Sequence, residues 1–447
     1  MKLHRYNTFI NEGLEISSTH RLPTYEECVE MCAKEDAAFY ESKFSLEGYN
    51  VSVFNYRIAQ YKDFETPIES KPEVRGFEMR GLTFVFNEDG SLFKRFLLLE
   101  KFFNLNQVAN SMYSVVKNYK IKYVNNKEDG SIASFIKLPN GKVLGKSKMG
   151  FDNDQANGIN KLYLTDKDVS AFVNWTLDND IVAIFEYVAP HNRIVLRYPK
   201  EELILLRLRD NKTGKHLDIK DHLDKLGTIK IAPFMDDFKD LDSLIELTAT
   251  QVDKEGSVVQ AVDEFGRDVF FKIKTPWYME RHGLLTNDLY REHILIGYIL
   301  DDKIDDILAQ IPEEEVEAHE RINKMISVIR RAITEKVNEI ENLYNVFVQM
   351  GKDRKAFAAR YIKDPNFGFV MGLDKGDRLR AMTREEILEY YGTMEEYETA
   401  LKRTDKFELV KTWIRDNNKR LNLSREWLKK KDPSIFFQEP DETKDDN

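Results

Sequence analysis

Cysteine is nearly absent from this 447-residue chain, which carries only Cys28 and Cys32. They lie four apart in a helical pattern with no Cys or His cluster around them. They therefore read as small residues on one buried helix face, not as a metal site. So little cysteine implies a reducing, cytoplasmic compartment. No apolar run approaches the roughly 20 residues that a membrane helix needs. The start, Met1-Lys2-Leu3-His4-Arg5-Tyr6, lacks the apolar core of a signal peptide. Net positive charge is missing too, the formal total being −10. That argues against a protein whose purpose is to coat nucleic acid irrespective of sequence.

What is present fits a soluble globular protein, 42% hydrophobic and 32% charged. The length suggests two or three domains. The charge is unevenly spread. Residues 351–431 carry 20 Lys and Arg against 14 Asp and Glu, a local net of +6, whereas the first 350 residues and the tail from Asp432 are acidic. An acidic total still allows an enzyme that holds a polyanion in one basic groove.

Local patterns predict a mixed, largely antiparallel α+β domain followed by helices. Thr24 can cap a helix through Cys28, Met31 and Cys32. Hairpins are predicted for Tyr40–Phe44 with Val51–Tyr56, Gly81–Phe86 with Ser91–Leu99, and Ile132–Leu138 with Lys142–Ser147. A helix comes next at Asp166–Leu177. Strands are expected at Ile181–Val188, Arg193–Tyr198 and Leu203–Arg209, and a last hairpin pairs Val258–Val262 with Val269–Ile273. Beyond Pro276 the period changes. Ile322, Ile326, Ile329, Ile333, Val337, Ile340, Tyr344 and Phe347 recur at helical spacing between Glu313 and Gln349. Arg384–Tyr391 and Thr404–Asn417 add helices. The boundary falls near residue 280, giving domains 1–281 and 282–447, with a disordered acidic end.

The chemistry centres on Lys127-Glu128-Asp129-Gly130-Ser131, at the edge of the alternating run Ile132-Ala133-Ser134-Phe135-Ile136. A lysine placed there can attack a nucleotide's α-phosphate and hold the nucleotide as a phosphoamide. A lone Lys-x-Asp-Gly is a weak signal, equally readable as a charged turn. Residues downstream strengthen it. Phe185-Glu186-Tyr187 sets a carboxylate in an apolar strand, and Glu255-Gly256 opens another. Lys272-Ile273-Lys274 puts two lysines on one strand face. Singly these read as a strand acid, a turn acid and a solvated face; together they form the order a covalent nucleotidyltransferase needs. An attacking lysine must lose its proton, and its ordinary pKa is near 10.4. Nearby cations and a metal lower that value. Lys272 and Lys274 could do so while neutralising a triphosphate, and Glu186 and Glu255 could hold metal-bound waters. Gly141-Lys142-Val143-Leu144-Gly145-Lys146-Ser147 imitates a P-loop but has three residues, not four, between its glycines, and it lies in a hairpin.

These residues resemble the phage ATP-dependent RNA ligases of the tRNA-repair type. Beyond the lysine motif, the resemblance rests on Met79-Arg80-Gly81, Glu100-Lys101-Phe102-Phe103-Asn104 and Lys146-Ser147-Lys148. It continues through Phe185-Glu186-Tyr187-Val188-Ala189-Pro190, Asn192-Arg193-Ile194-Val195-Leu196 and Phe271-Lys272-Ile273-Lys274 with Trp277-Tyr278. It runs from about residue 50 to 280, with a fainter echo at Gly351-Lys352-Asp353-Arg354-Lys355. The resemblance implies that Lys127 forms the lysyl-AMP. Arg80 and Lys101 contact ATP or substrate phosphates, Phe103 supports the nucleotide pocket, and Gly130 lets the backbone pass close to the nucleotide. Lys148 acts on phosphate or in the later steps. Glu186 and Glu255, with Gly256 beside them, serve the ribose and the metal waters, and Lys272 and Lys274 hold the α-phosphate. ATP with Mg²⁺ or Mn²⁺, an RNA partner such as nicked tRNA, a monomeric state and no membrane are implied with them. Where the family commonly has a bulkier residue after the glycine, this chain has Ser257-Val258. The alternatives are a DNA ligase, a GTP-using mRNA capping enzyme, or a non-catalytic RNA-binding protein on the same fold. The first two usually carry an OB barrel after the last lysine motif, where this sequence reads as helix.

Overall fold

A computed structural model describes residues 21–34, 37–192, 194–281, 292–311 and 315–420. The first ~20 residues, Arg193 and the acidic end lie outside the described residues. Contacts divide the chain into two units: Met1–Asn287 with Asp305–Glu315, and Asp288–Ile304 with Val316–Asn447.

The first unit is α+β. Its early strands are β1 (Phe39–Leu46), β2 (Tyr49–Tyr56), β3 (Leu82–Phe86), β4 (Leu92–Phe96) and β5 (Phe103–Asn104). Next come β6 (Lys120–Lys127), β7 (Ser131–Lys137), β8 (Val143–Ser147), β9 (Ile181–Val188) and β10 (Glu202–Asp210). The last are β11 (His216–Leu217), β12 (Lys230–Ile231), β13 (Gly256–Val262) and β14 (Asp268–Lys274). They form three sheets, ordered β1-β2-β3-β4, β11-β10-β9-β7-β8 with β12 beside β10, and β5-β14-β13-β6. Every pairing is antiparallel except β10 with β12 and β14 with β5. The second sheet shares two buried cores with the first. All eight residues of β9 are buried, which suits its apolar sequence Ile-Val-Ala-Ile-Phe-Glu-Tyr-Val. One core joins Phe135, Phe185 and Tyr187 to Ile159 and Phe172 on the helices Asp154–Thr165 and Lys167–Asp178.

The predicted hairpins are present, one of them with a shortened strand, and two further departures lie elsewhere in the pattern. β4 ends at Phe96, short of the expected Leu99. Beyond it the Leu97 amide donates to the Asn211 side chain, and the Leu98 carbonyl accepts from Arg209, so side chains replace the ladder. Residues 194–198 are not a strand. The amides of Val195 and Leu196 are taken by the Asp129 carboxylate at 2.8 and 2.7 Å. The helix Asp154–Thr165 is an addition to the sequence pattern; a central glycine and three polar side chains in its first half hide its period. The cysteine helix is Tyr25–Cys32, with a Thr24–Glu27 capping box. Both thiols are free, Cys28 is buried, and burial pushes the Cys32 thiol up to about 12.

The second unit is helical. Its longest element, Val316–Gln349, buries Ile322, Ile326, Ile329, Ile333, Val337, Ile340 and Phe347. The predicted helices appear as Arg384–Tyr391 and Lys406–Arg420, joined by Arg354–Tyr361, Phe367–Arg380 and Met394–Lys402. Among the described residues no helix is long and apolar enough to cross a membrane.

Candidate active site

Lys127 ends β6, and the register of the third sheet fixes what surrounds it. Gly256 on β13 lies opposite Lys127 on one side and Lys274 on the other. The chain at Gly256 runs at φ +152°, and a Cβ there would lie 2.0 Å from the Ile273 carbonyl oxygen. Only glycine lets β13 and β14 approach so closely. The residue before it, Glu255, is buried, and its Oε2 lies 2.7 Å from Lys127 Nζ. Its other oxygen is 3.5 Å from Lys274 Nζ.

Alternation along β14 turns Lys272 and Lys274 to one face, as predicted. There they meet two acids of the short helix Ile304–Leu308. Lys274 Nζ lies 2.8 Å from Asp306, and Lys272 Nζ lies 3.3 Å from Asp305. Lys101 Nζ is 3.6 Å from the same Asp305 oxygen. Burial lowers the Lys272 ammonium's pKa. At Lys274 burial acts the same way, but Asp306 and Glu255 outweigh it and raise the pKa. Burial alone would raise Asp305, yet the three lysines hold it well below the usual carboxylate range.

The lysine motif continues into β7, beside β9. The Gly130 amide donates to Glu186 at 3.1 Å, and a Cβ on Gly130 would come within 2.4 Å of the Tyr187 carbonyl oxygen. Glu186 is buried, and that burial, reinforced by Glu255, pushes it up to about 8 against the pull of Lys127 and Arg80. Asp129, 1% exposed, takes the amides of Val195 and Leu196 and the Tyr278 hydroxyl at 2.8 Å. It ties the lysine motif to the loop after β9 and to the helix Pro276–Arg281. Sequence reasoning assigns Asp129 and Tyr278 no such task.

The cations sit on aromatic rings. Lys101 Nζ lies 5.0 Å from the centre of Phe103 and 5.5 Å from that of Tyr56, and Lys148 Nζ lies 4.4 Å from Tyr56. Burial raises the Tyr56 phenol, but Lys101, Lys148 and Arg80 outweigh it and bring it to about 7. Arg80 donates to the Leu99 carbonyl at 3.1 Å. The structure thus gathers Lys127, Arg80, Lys101, Phe103, Gly130, Lys148, Glu186, Glu255, Gly256, Lys272 and Lys274 around the ends of β6, β9, β13 and β14. Sequence reasoning misses Tyr56, Asp305 and Asp306. Tyr56 is one of many strand aromatics, and the two aspartates come from a stretch that reads only as helix. The P-loop imitation is the hairpin of β7 and β8. Its Lys146 is buried, donates to the Gly81 carbonyl at 3.0 Å, and is pushed down to about 7 by burial.

Among the described residues no group of three or more His, Cys, Asp or Glu is placed to hold a metal. Glu186 and Glu255, two carboxylates beside Lys127, suit a Mg²⁺ or Mn²⁺ ion that keeps its waters and takes further oxygens from phosphate.

Several known proteins are similar to this chain. Among curated proteins, one from Thermovibrio ammonificans named as a candidate RNA ligase is 28% identical over 296 residues, covering 65% of this chain and 74% of its own. Among solved structures, an archaeal ATP-dependent RNA ligase (form 2) overlaps 74% of this chain and 82% of its own, at 12% identity and a TM-score of 0.43. A Naegleria gruberi RNA ligase variant with ATP and Mn overlaps 42% of this chain and 59% of its own, at 16% identity and a TM-score of 0.34. A family model described as RNA ligase matches residues 78–278, the segment that carries every site residue named above except Tyr56, Asp305 and Asp306.

Proposed function

We propose that this protein is an ATP-dependent RNA ligase that joins an RNA 5′-phosphate to a 3′-hydroxyl. The observation that carries the reading is the placement of Lys127. Its side chain is a quarter exposed at a strand end, with the amine held 2.7 Å from Glu255 and Lys274 sharing that carboxylate. Deprotonated Lys127 Nζ attacks the α-phosphorus of ATP; a P–N bond forms and pyrophosphate leaves. The 5′-phosphate of the RNA then displaces the lysine and takes the AMP. Finally the 3′-hydroxyl attacks that phosphate, and AMP leaves.

The residues have separable tasks. Glu255 orients the Lys127 amine. Lys272 and Lys274 bind the α-phosphate and favour departure of pyrophosphate by neutralising its charge. Arg80, Lys101 and Lys148 hold the remaining phosphates, with Phe103 and Tyr56 as the apolar wall beneath the cations. Gly130 keeps the backbone low beside the nucleotide, and Glu186 faces the ribose. A Mg²⁺ or Mn²⁺ ion, through waters held by Glu186 and Glu255, would supply charge neutralisation on the phosphates.

The substrate reading is RNA, and nicked tRNA in particular. The described residues after β14 are helical, with no OB barrel of the kind DNA ligases and capping enzymes carry. The C-terminal helical unit is read as the part that sets tRNA preference, and the working state as a monomer. The test is labelling with each α-labelled triphosphate, followed by sealing of a nicked tRNA anticodon loop, a linear RNA and a nicked DNA duplex. ATP labelling with preferential tRNA sealing supports the reading. GTP labelling points to capping, preferential DNA sealing to a DNA ligase, and no labelling to a non-catalytic RNA-binding protein.

A further inference from the structure

Behind the phosphate-facing cations lies a second set of charges that the reaction steps do not use. Arg209 stands on β10 with its side chain 3% exposed. Its two terminal nitrogens donate to both carboxylate oxygens of Glu78, at 3.0 and 2.7 Å. One of them is also 3.2 Å from Glu100 Oε2 and donates to the Leu98 carbonyl. Its Nε donates to the Gly214 carbonyl at 3.1 Å. The other Glu100 oxygen is 2.7 Å from His216 Nε2, and the His216 ring lies 4.5 Å from that of Phe270.

The two acids are placed where they matter. Glu78 is two residues before Arg80, and Glu100 immediately precedes Lys101. The two segments also share a backbone bond, from the Lys101 amide to the Phe77 carbonyl at 2.8 Å, and Arg80 donates to the Leu99 carbonyl. One guanidinium therefore clips both segments together. Taking ionisable side chains out of water, Arg209 fully and Glu78, Glu100 and His216 in part, is expensive, and well-packed apolar residues commonly give equal or greater stability. A planar fork bound to two carboxylates adds fixed geometry instead.

We propose that Arg209, with Glu78, Glu100 and His216, is a positioning brace that fixes Arg80 and Lys101 for the ATP phosphates. The proposal rests on the reading of those two cations as phosphate contacts. The brace touches no substrate; it sets the spacing of the two cations that do. Lysine in place of Arg209 keeps the charge but loses the fork, so it cannot clip both acids at once.

The experiment measures the rate of Lys127 adenylation against ATP concentration for wild type, Arg209→Lys and His216→Phe, with Val173→Ala as a core-packing control. KM for ATP does not depend on how much of the protein is folded, so a merely structural role lowers the melting temperature and leaves KM unchanged. The brace is expected to raise KM on the order of tenfold in Arg209→Lys. A smaller rise is expected in His216→Phe, and none in the control. If Arg209→Lys does not fold, His216→Phe decides. Wild-type labelling with unchanged KM in the folded variants overturns the brace alone. Wild-type protein that takes no label overturns the functional reading, and the brace with it.

Discussion

Gly256→Ala is the sharpest perturbation of the site, because the glycine touches no substrate in the proposed scheme yet spaces the strands that do. A Cβ at this position would lie 2.0 Å from the Ile273 carbonyl oxygen and 2.8 Å from the Lys274 Cα, both backbone atoms. Real Cβ contacts do not fall under 3.0 Å, so β14 must retreat from β13 by about 1 Å. Lys272 and Lys274 ride on β14, and Lys127 is anchored to the other side of the same glycine. A misplacement of about 1 Å in such groups costs on the order of a hundredfold in rate. The expected outcome is a fall of about a hundredfold in the single-turnover rate of Lys127 adenylation, in protein that still unfolds cooperatively. Gly266→Ala is the matched control. It too sits at positive φ, +77°, but its Cβ would meet nothing within 4 Å. It should lose roughly 1–2 kcal/mol of stability from backbone strain and keep its adenylation rate. Adenylation by folded Gly256→Ala within about threefold of wild type would refute the spacing argument.

The same geometry sets other outcomes. Glu186 has a folded-state pKa of about 8 against an ordinary 4.5. Below about pH 4.5 both states hold the proton and the group is neutral to stability. Between there and about pH 8 the unfolded state ionises first, so stability falls as pH rises. Glu186→Gln should remove a loss of at most about 5 kcal/mol at pH 8, read by urea unfolding at pH 5 and pH 8, while abolishing adenylation; equal pH dependence in both proteins contradicts the burial argument. Tyr278→Phe removes the hydroxyl bonded to buried Asp129. It should destabilise by roughly 1.5–3 kcal/mol in denaturant titration, and a change under 0.5 kcal/mol means the bond is dispensable.

Much of the site is legible in the sequence because chemistry and strand periodicity coincide. Lys127, Glu186, Lys272 and Lys274 all sit on strands whose alternation is plain, so their faces can be assigned without coordinates. The hidden part is contributed by irregular backbone or by distant sequence. Asp129 looks like part of a charged turn, yet it replaces a strand ladder by capturing two amides of residues 195–196. Asp305 and Asp306 fall in a region whose period reads only as helix, some thirty residues from Lys272 and Lys274 and some two hundred from Lys101. Leu97–Leu99 continues an apolar run that looks like strand, but Asn211 and Arg209 take its polar groups instead. In each case a side chain far away in sequence satisfies the backbone or the charge, and local pattern carries no record of that.

The most direct test of the central claim is sealing of an RNA bearing a labelled 5′-phosphate and a free 3′-hydroxyl, with ATP and Mg²⁺, by wild type and Lys127→Ala. Wild type is expected to render the label resistant to phosphatase in joined or circular RNA, and to carry AMP on Lys127 alone. Sealing by Lys127→Ala, or none by wild type with either metal, would contradict the account.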